Sequence, residues 1–291
     1  MPAESTQPQP TNTPSPEELK NLCVQLAREA AALVAHQRDF LSHHGSIAQV
    51  TSTKSSAVDP VTAVDKASEA QIVRQLRQLR PDDGIVGEEG ANVAGVTGVS
   101  WVVDPIDGTV NFLYGLPAYA VSVGAAIDGQ FVAGCVVNVA NGDCYFAAAG
   151  AGAWIERDGE TTQLRASRAD DIATSLVATG FAYNSAWRAK QAALLQRILP
   201  RVRDIRRFGS AALDLCHLAE GRVDAYYEHG THPWDYAAGA VIAAEAGAKI
   251  LHPGLENRGV VGAPVIAAAP RLWDSFVDLL KSSGATQPME G

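Results

Sequence analysis

The sequence predicts an α/β protein, with an N-terminal α+β half that carries an antiparallel meander and an α/β C-terminal half. Three observations predict this class. Two amphipathic helical patterns precede residue 81, apolar runs separated by tight-turn dipeptides follow residue 100, and strand-like segments alternate with helical ones beyond residue 170. The 291 residues suffice for one large domain or for two lobes that share a cleft.

The N-terminal segment changes character at residue 16. Residues 1–16 contain five prolines and no Leu, Ile, Val or aromatic residue, so they predict a disordered tail. A helix is predicted from residue 17, because apolar side chains then recur on one face. A second helix is predicted from about Lys66 to Arg80, where Pro81 ends it. The apolar residues of the first helix are Leu19, Leu22, Leu26, Ala30, Leu33 and Val34.

Strand patterns follow residue 100. Asp128-Gly129, Asn141-Gly142 and Asp158-Gly159 are dipeptides typical of tight hairpins, so we expect an antiparallel meander. The apolar runs that form it are 101–103, 118–127, 131–139 and 143–149.

The C-terminal half alternates between the two patterns. Strands are predicted at 174–179, 223–227, 248–251 and 264–268, and helices at 186–199, 210–220, 234–247 and 270–282. We expect an N-terminal lobe over residues 17–165 and a C-terminal lobe over residues 166–291.

Composition excludes several classes of partner. The net charge of -9 and the pI near 5.2 give no electrostatic attraction for nucleic acid or an anionic membrane. No signal-peptide pattern opens the chain, and no run approaches the roughly 20 apolar residues of a membrane span, so we expect a cytoplasmic protein. The four cysteines lack C-x-x-C spacing and predict buried free thiols.

The stretch "DPIDGTVNF", residues 104–112, places two aspartates three positions apart without a basic residue. Residues three apart in a regular strand point to opposite faces. Pro105 and Gly108 argue against a regular strand, so we expect a strand that ends at Val103 and breaks into a turn. Positions i and i+3 of a turn lie within about 7 Å, which would let both carboxylates reach one cation or two adjacent ones.

Other acids stand at element boundaries, and each has an ordinary structural alternative. Asp104 could cap a turn, and Asp107 could cap a short helix that begins near Thr109. Asp65 could be the N-cap of the second helix, and Asp235, just after Pro233, could complement a helix dipole. The remaining pair, Glu88 and Glu89, could form a solvated turn.

Gathered together, these carboxylates would need a counter-charge. Two carboxylates about 4 Å apart repel by roughly 1 kcal/mol in water and by about 4 kcal/mol at an effective dielectric of 20. Oxygen ligands without Cys or His favour Mg²⁺ over zinc, and a Mg²⁺ held by a few carboxylates leaves room for phosphate oxygens. An acidic protein could bind an anionic substrate in this way.

Five segments follow one another along the chain: "KSSAVDPVTAVD" (54–65), "GEEG" (87–90), "DPIDGTVNF" (104–112), "RRFGSAALDLC" (206–216) and "DAYYEHGTHPWDYAAGAVIAAEAGA" (224–248). In this order they resemble the inositol monophosphatase family, whose members are Mg²⁺-dependent and lithium-sensitive phosphatases related to fructose-1,6-bisphosphatase. The resemblance covers residues 20 to 282 and implies a layered αβαβα fold. It also implies a homodimer and two to three Mg²⁺ per subunit.

The resemblance implies metal ligands by position. Glu88, Asp104 and the Ile106 carbonyl would hold the first Mg²⁺, and Asp104, Asp107 and Asp235 the second. A weaker third ion would lie near Glu88 and Asp65.

It also implies catalytic and substrate contacts. Asp65 and Thr109, together with the metal ligand Glu88, would activate the attacking water. The amides of Gly108 and Thr109 would receive the phosphate, and Glu228 would contact the inositol hydroxyls. The remaining implied substrate contacts are Asp107, Gly209, Ser210, Ala211 and Asp235.

The implied activity is hydrolysis of myo-inositol 1-phosphate and related polyol monophosphates. Histidinol phosphate, fructose 1,6-bisphosphate and 3'-phosphonucleotides stay open as substrates, because the fold and metal site are shared. A regulatory, partner-binding protein is the non-enzymatic alternative. Val110 replaces a threonine common in the family motif, and residues 179–188 match the family less closely.

Overall fold

The structure is a computed structural model that describes residues 13–44, 51–54, 60–257 and 262–289. The helices of the described residues are α1 (Pro16–His44), α2 (Ala63–Leu79), α3 (Thr109–Tyr114), α4 (Ser185–Ile198), α5 (Ala211–Ala219), α6 (Pro233–Glu245) and α7 (Trp273–Ser283). The strands are β1 (Thr51–Thr53), β2 (Pro60–Thr62), β3 (Gly84–Gly87), β4 (Asn92–Val93), β5 (Val99–Asp107), β6 (Ala120–Ile127), β7 (Gln130–Asn138), β8 (Cys144–Ala148), β9 (Ala153–Arg157), β10 (Glu160–Gln163), β11 (Leu176–Thr179), β12 (Asp204–Arg206), β13 (Ala225–His229), β14 (Lys249–Leu251) and β15 (Pro264–Ala268).

The strands form two large sheets and one small one. The larger sheet has the order β10-β9-β8-β7-β6-β5-β3-β4, and its strands β5 to β10 are the predicted antiparallel meander. The second sheet has the order β12-β11-β13-β15-β14 and mixes parallel and antiparallel pairs. Strands β1 and β2 pair with each other.

Helices and sheets alternate in layers. Helices α1 and α2 cover one face of the larger sheet, and the core there contains Leu26, Ile72 and Val123. Helices α5 and α6 lie between the two sheets, with separate apolar contacts to each. Helices α4 and α7 cover the far face of the second sheet around Phe276. The αβαβα layering implied by the resemblance is confirmed.

The three predicted hairpins are present, but only two of them have the predicted two-residue turn. Asp128 and Asp158 adopt positive φ angles of 48° and 53° before glycines that also have positive φ, as a two-residue turn with the twist of a hairpin requires. The prediction of a two-residue turn at Asn141-Gly142 is wrong, because β7 ends at Asn138 and β8 begins at Cys144. Asn141 Oδ1 instead accepts the Asp143 N–H at 3.0 Å, which stabilises a longer turn.

The N-terminal tail and the lobe boundary are only partly described. Residues 1–12 of the predicted tail lie outside the described residues, and Pro16 is already the first residue of α1. The division into lobes at residue 165 stays a prediction. None of the described helices combines the length and the apolar character needed to cross a membrane.

Candidate active site

Asp104 and Asp107 lie on one strand, β5, which the sequence did not predict. The strand does not end at Val103 but continues to Asp107. Its pairing with β6 shifts, however, because three steps from Asp104 to Asp107 face only two steps from Ser122 to Ala120. This bulge brings both carboxylates to one cavity. Asp104 Oδ1 also accepts the Ile106 N–H at 3.0 Å, which is the local turn bond of the structural alternative.

Asp107 joins β5 to the start of α5. Its Oδ2 accepts the Ser210 hydroxyl at 2.6 Å and the Ala212 N–H at 2.7 Å. The alternative in which Asp107 caps α3 is therefore wrong, since its carboxylate is committed to the first turn of α5. Gly108 is the N-cap of α3, with φ of 90° and no side-chain cap.

Gly108 has no room for a side chain. A Cβ there would lie 2.9 Å from the Ala118 carbonyl oxygen and 3.0 Å from that of Gly209. Its positive φ is also one that residues with a Cβ rarely adopt. This position requires glycine.

Asp65 is held by a capping box. Thr62, not Asp65, is the N-cap of α2, because the helix begins three residues earlier than predicted. Asp65 Oδ2 accepts the Thr62 N–H at 2.9 Å and also the Thr62 hydroxyl. Asp65 Oδ1 lies 3.2 Å from Thr109 Oγ1, which is also 3.0 Å from the Ile106 carbonyl oxygen. Burial raises the pKa of Asp65.

Glu88 follows β3 and does not form a solvated turn with Glu89. The side chains of Glu88 and Glu89 are 22% and 5% exposed. Lys54 Nζ lies 2.8 Å from Glu88 Oε1 and 2.5 Å from Glu89 Oε1. Burial opposes the charge of Lys54, but the two carboxylates outweigh it and raise the lysine pKa.

The turn after β3 is fixed from beneath by Glu69. This buried side chain of α2 accepts the Glu89 N–H at 2.8 Å and the Ala91 N–H at 3.0 Å. A Cβ on Gly87 would lie 2.3 Å from Glu69 Oε2, so the contact also requires glycine at that position.

Asp235 lies in the first turn of α6, as predicted, two residues after Pro233. Its Oδ2 accepts the N–H of His232, the N-cap residue, at 2.7 Å. His232 Nδ1 lies 3.8 Å from the same oxygen, and its ring stacks on Trp234 at 4.6 Å. His232 thus supports the start of the helix.

Glu228 of β13 also lines the cavity. Tyr226 donates its hydroxyl to Glu228 Oε2 at 2.9 Å. A Cβ on Gly180 would lie 2.1 Å from both carboxylate oxygens of Glu228, so Gly180 leaves the space that this carboxylate fills. Burial raises the pKa of Glu228 to about 7.

One cavity collects these residues. Every predicted site residue except Asp65 lines it, and Asp65 lies behind Thr109. Sequence reasoning missed five lining residues: Gly180, Phe181, Tyr183, Arg207 and Thr231. Arg206 pairs with Asp204 at 2.5 Å, whereas the neighbouring Arg207 faces the cavity, a difference that two adjacent arginines do not reveal in the sequence.

The cavity is strongly acidic. Burial raises the pKa of Glu88 and of Asp107 to about 7, and the charge of Asp235 adds to both. Burial and the three neighbouring carboxylates raise the pKa of Asp104 well above its ordinary value. The donors are all oxygens, as Mg²⁺ prefers, and the buried Glu88 Oε2 has no hydrogen-bond partner among the described residues. The residues therefore fit a hard divalent cation.

The acids are held by protein donors in the structure. As placed, no three acidic, histidine or cysteine side chains in the described part of the chain form a ready-made metal-binding group. Asp107 and Asp235 accept hydrogen bonds from α5 and α6, and Lys54 pairs with Glu88. Cation binding would have to compete with these contacts.

The chain is similar to known proteins over most of its length. The sequence model of the inositol monophosphatase family matches residues 15–283. Inositol-1-monophosphatase SuhB of Mycobacterium tuberculosis is 47% identical over 288 residues, which cover 96% of this chain and 98% of the relative. The Nus factor SuhB of Escherichia coli K12 is 35% identical over 259 residues, or 87% of this chain and 91% of the relative.

The solved structure of Mycobacterium tuberculosis SuhB shares the fold. It matches with a TM-score of 0.81 and 44% identity, covering 94% of this chain and 99% of that chain. The family model matches nearly the whole described length, and both relatives match over most of the chain. The chain belongs to the inositol monophosphatase family.

Proposed function

We propose that this protein is a Mg²⁺-dependent phosphomonoesterase that hydrolyses myo-inositol 1-phosphate and related polyol monophosphates to the free polyol and inorganic phosphate. The observation that carries the proposal is the convergence of Glu88, Asp104, Asp107 and Asp235 on one cavity. These acids come from three parts of the fold, the turn after β3, strand β5 and helix α6, and none is needed there to bury apolar surface.

The proposed metal ligands are those implied by the family resemblance. Glu88, Asp104 and the Ile106 carbonyl would hold one Mg²⁺, and Asp104, Asp107 and Asp235 another, with a weaker site near Glu88 and Asp65. When bound, Mg²⁺ would neutralise the acids, lower the pKa of a water molecule and stabilise charge on the phosphoryl oxygens.

Asp65 and Thr109 would manage the proton of the attacking water. The Thr109 hydroxyl hydrogen can point to only one acceptor at a time, and both Asp65 Oδ1 and the Ile106 carbonyl are in reach. With the hydrogen directed to Asp65, the lone pairs of Thr109 Oγ1 are free to accept a proton from water. Thr62 holds the opposite carboxylate oxygen and so fixes the direction of the transfer.

Backbone amides would bind the phosphate. Gly108 and Thr109 follow the bulge of β5, and their N–H groups can donate to phosphate oxygens without adding bulk. The contact of Asp107 with α5 would hold Gly209, Ser210 and Ala211 beside the substrate.

Glu228 would select the polyol. Its carboxylate lies at the end of the cavity that Gly180, Phe181 and Tyr183 line, and it can accept hydroxyl hydrogen bonds. Arg207 on the same cavity leaves a second anionic group on the substrate as an open alternative. Histidinol phosphate, fructose 1,6-bisphosphate and 3'-phosphonucleotides therefore belong in the test.

The test is phosphate release from these compounds and from myo-inositol 1-phosphate, with Mg²⁺, with EDTA, and with Mg²⁺ plus lithium. We expect the highest kcat/KM on myo-inositol 1-phosphate, no turnover in EDTA, and inhibition by lithium. A higher kcat/KM on another compound would replace the substrate, whereas turnover that persists in EDTA would contradict the metal role.

A regulatory role is the second candidate, and the Nus factor name of the 35% identical Escherichia coli relative favours testing it. The complete acidic set supports the enzymatic role, because a protein without catalysis has no need to retain it. Stable capture of a partner by the purified chain, together with no phosphatase activity on the substrate panel, would reverse this order. We also propose a homodimer, which light scattering of the purified protein would test.

A further inference from the structure

Two of the four cysteines form a pair that the proposed phosphatase chemistry does not use. All four are free and buried, as the sequence predicts, but Cys135 Sγ and Cys144 Sγ lie only 3.5 Å apart. Cys135 on β7 faces Phe146, and Cys144 on β8 faces Val137, so the cysteines are diagonal neighbours on one face of the sheet. That face packs against α1.

A surface arginine reaches this pair. The Arg28 guanidinium of α1 pairs with Glu156 at 2.8 Å, and its positive charge also lowers the pKa of Cys144. The Arg28 and Glu156 side chains are 42% and 37% exposed, whereas Cys144 is 2% exposed. Cys144 is therefore buried, whereas the arginine that lowers its pKa is partly exposed to solvent.

The four thiols differ sharply in acidity. The hydrogen bond from Cys135 lowers the pKa of Cys144 to about 7; burial opposes this shift, and the positive charge of Arg28 supports it. Burial raises the pKa of Cys23, Cys135 and Cys216. Because the thiolate is the nucleophile, Cys144 is the thiol suited to attack an oxidant, and its neighbour is placed to resolve the product.

We propose that Cys144 and Cys135 are a peroxide-sensitive modification site, at which Cys144 is the oxidised thiol and Cys135 the resolving thiol. The Cys144 thiolate attacks hydrogen peroxide, an S–O bond forms, the O–O bond breaks, and hydroxide leaves to become water. The Cys135 sulfur then attacks the Cys144 sulfur, an S–S bond forms, and the sulfenic oxygen leaves with a proton as a second water. Two thiols are oxidised by two electrons, and one peroxide is reduced to two waters.

The pairing geometry makes this disulfide reversible. Diagonal cross-strand neighbours have Cα atoms about 7–8 Å apart, whereas disulfides usually join Cα atoms about 4.4–6.8 Å apart. Strands β7 and β8 would have to shift locally to close the bond, and a bond formed with such strain is more easily reduced. The site therefore suits a transient modification better than a permanent structural link.

The test is differential thiol labelling of the full-length protein. The reduced protein is treated with hydrogen peroxide at neutral pH, free thiols are blocked, reversible disulfides are reduced, and the released thiols receive a second label for mass spectrometry. We expect the second label on Cys135 and Cys144 together, with Cys23 and Cys216 as internal controls that keep the first. From thiolate fractions alone, Cys144 should react roughly tenfold faster than a thiol of ordinary pKa.

Variants separate the two roles. Cys135→Ser should stop the reaction at a Cys144 sulfenic acid that dimedone traps, Cys144→Ser should protect both positions, and Cys216→Ser should behave as wild type. Arg28→Met should slow Cys144 oxidation, and Arg28→Lys should restore much of the rate. Equal oxidation of all four cysteines, a Cys23–Cys135 link, or an unoxidised Cys144 would overturn the proposal. None of these outcomes depends on phosphatase activity.

Discussion

Thr109 Oγ1 lies 3.2 Å from Asp65 Oδ1, although 44 positions separate the two residues in the chain. Thr109 opens α3 after the bulge of β5, and Asp65 lies in the first turn of α2. Asp65 is further held by Thr62 on its other oxygen. The contact thus depends on a helix cap and a strand irregularity that belong to different elements.

Loss of the Thr109 hydroxyl should remove activity without unfolding the protein. Thr109→Val keeps the shape of the side chain, so we expect kcat to fall by about 10²–10⁴, the usual contribution of a positioned proton acceptor. Thr109→Ser should retain most of the activity, because it keeps the hydroxyl. The measurement is kcat on myo-inositol 1-phosphate with saturating Mg²⁺.

The control for this substitution is Thr162→Val on the exposed strand β10. It should leave kcat unchanged. Wild-type kcat in Thr109→Val would show that the hydroxyl takes no part in water activation.

Gly180→Ala should alter substrate selection and not metal binding. The added methyl group would overlap both oxygens of Glu228 and displace that carboxylate from the polyol wall. We expect KM for myo-inositol 1-phosphate to rise about tenfold or more, the equivalent of roughly 1.4 kcal/mol for a lost hydrogen bond to a charged group. The apparent Mg²⁺ affinity should not change.

A double-mutant cycle isolates this effect. In a Glu228→Ala background the clash is gone, so Gly180→Ala should add little to KM. Equal effects of Gly180→Ala with and without Glu228 would show that the glycine acts through a different neighbour.

Glu228 should make the protein less stable as pH rises. Burial raises the pKa of Glu228 from 4.5 to about 7, so the folded state favours the protonated form. Protonated Glu228 stabilises the folded state. This stabilisation is fully present below about pH 4.5, the pKa of the unfolded state, and it is lost as the pH rises through about 7, the pKa of the folded state. The measurement is the free energy of unfolding in urea, in EDTA, from pH 4.5 to 8.

Glu228→Gln provides the comparison, because glutamine does not titrate in this range. The stability of the variant relative to wild type should increase between pH 4.5 and 7 and then level off. A difference that is independent of pH would mean that Glu228 has an ordinary pKa in the folded protein.

The elements predicted well from the sequence are those that depend on a local pattern of apolar or turn-forming residues. The apolar period gives α1 and α2, and the dipeptides at Asp128 and Asp158 give two hairpins, because only local geometry is involved. The bulge of β5 could not be predicted, since it depends on how β6 pairs with a strand that carries Pro105. The bulge places the side chains of Asp104 and Asp107 at the same cavity.

Contacts between residues that are distant in the sequence were the other feature that the sequence could not predict. Capping of their own helices was the structural alternative for Asp65 and Asp107, but each carboxylate also contacts a residue that is distant in the sequence. Lys54 belongs to the segment 54–65, yet its contact with Glu88 and Glu89 depends on two parts of the chain that meet only in the fold. Gly180 and Arg207 carry no signal that would separate them from ordinary loop residues.

The most direct test of the central claim is phosphate release by Asp104→Asn, measured against Mg²⁺ concentration with myo-inositol 1-phosphate. Asparagine keeps the shape of the side chain but removes the charge that both proposed Mg²⁺ ions would share. Asp158→Asn in the exposed β9–β10 turn is the matched control. We expect Asp104→Asn to unfold like wild type in urea and to lose about 10³-fold in kcat/KM, which corresponds to several kcal/mol of charge stabilisation. Wild-type, Mg²⁺-dependent phosphate release by Asp104→Asn would contradict this claim.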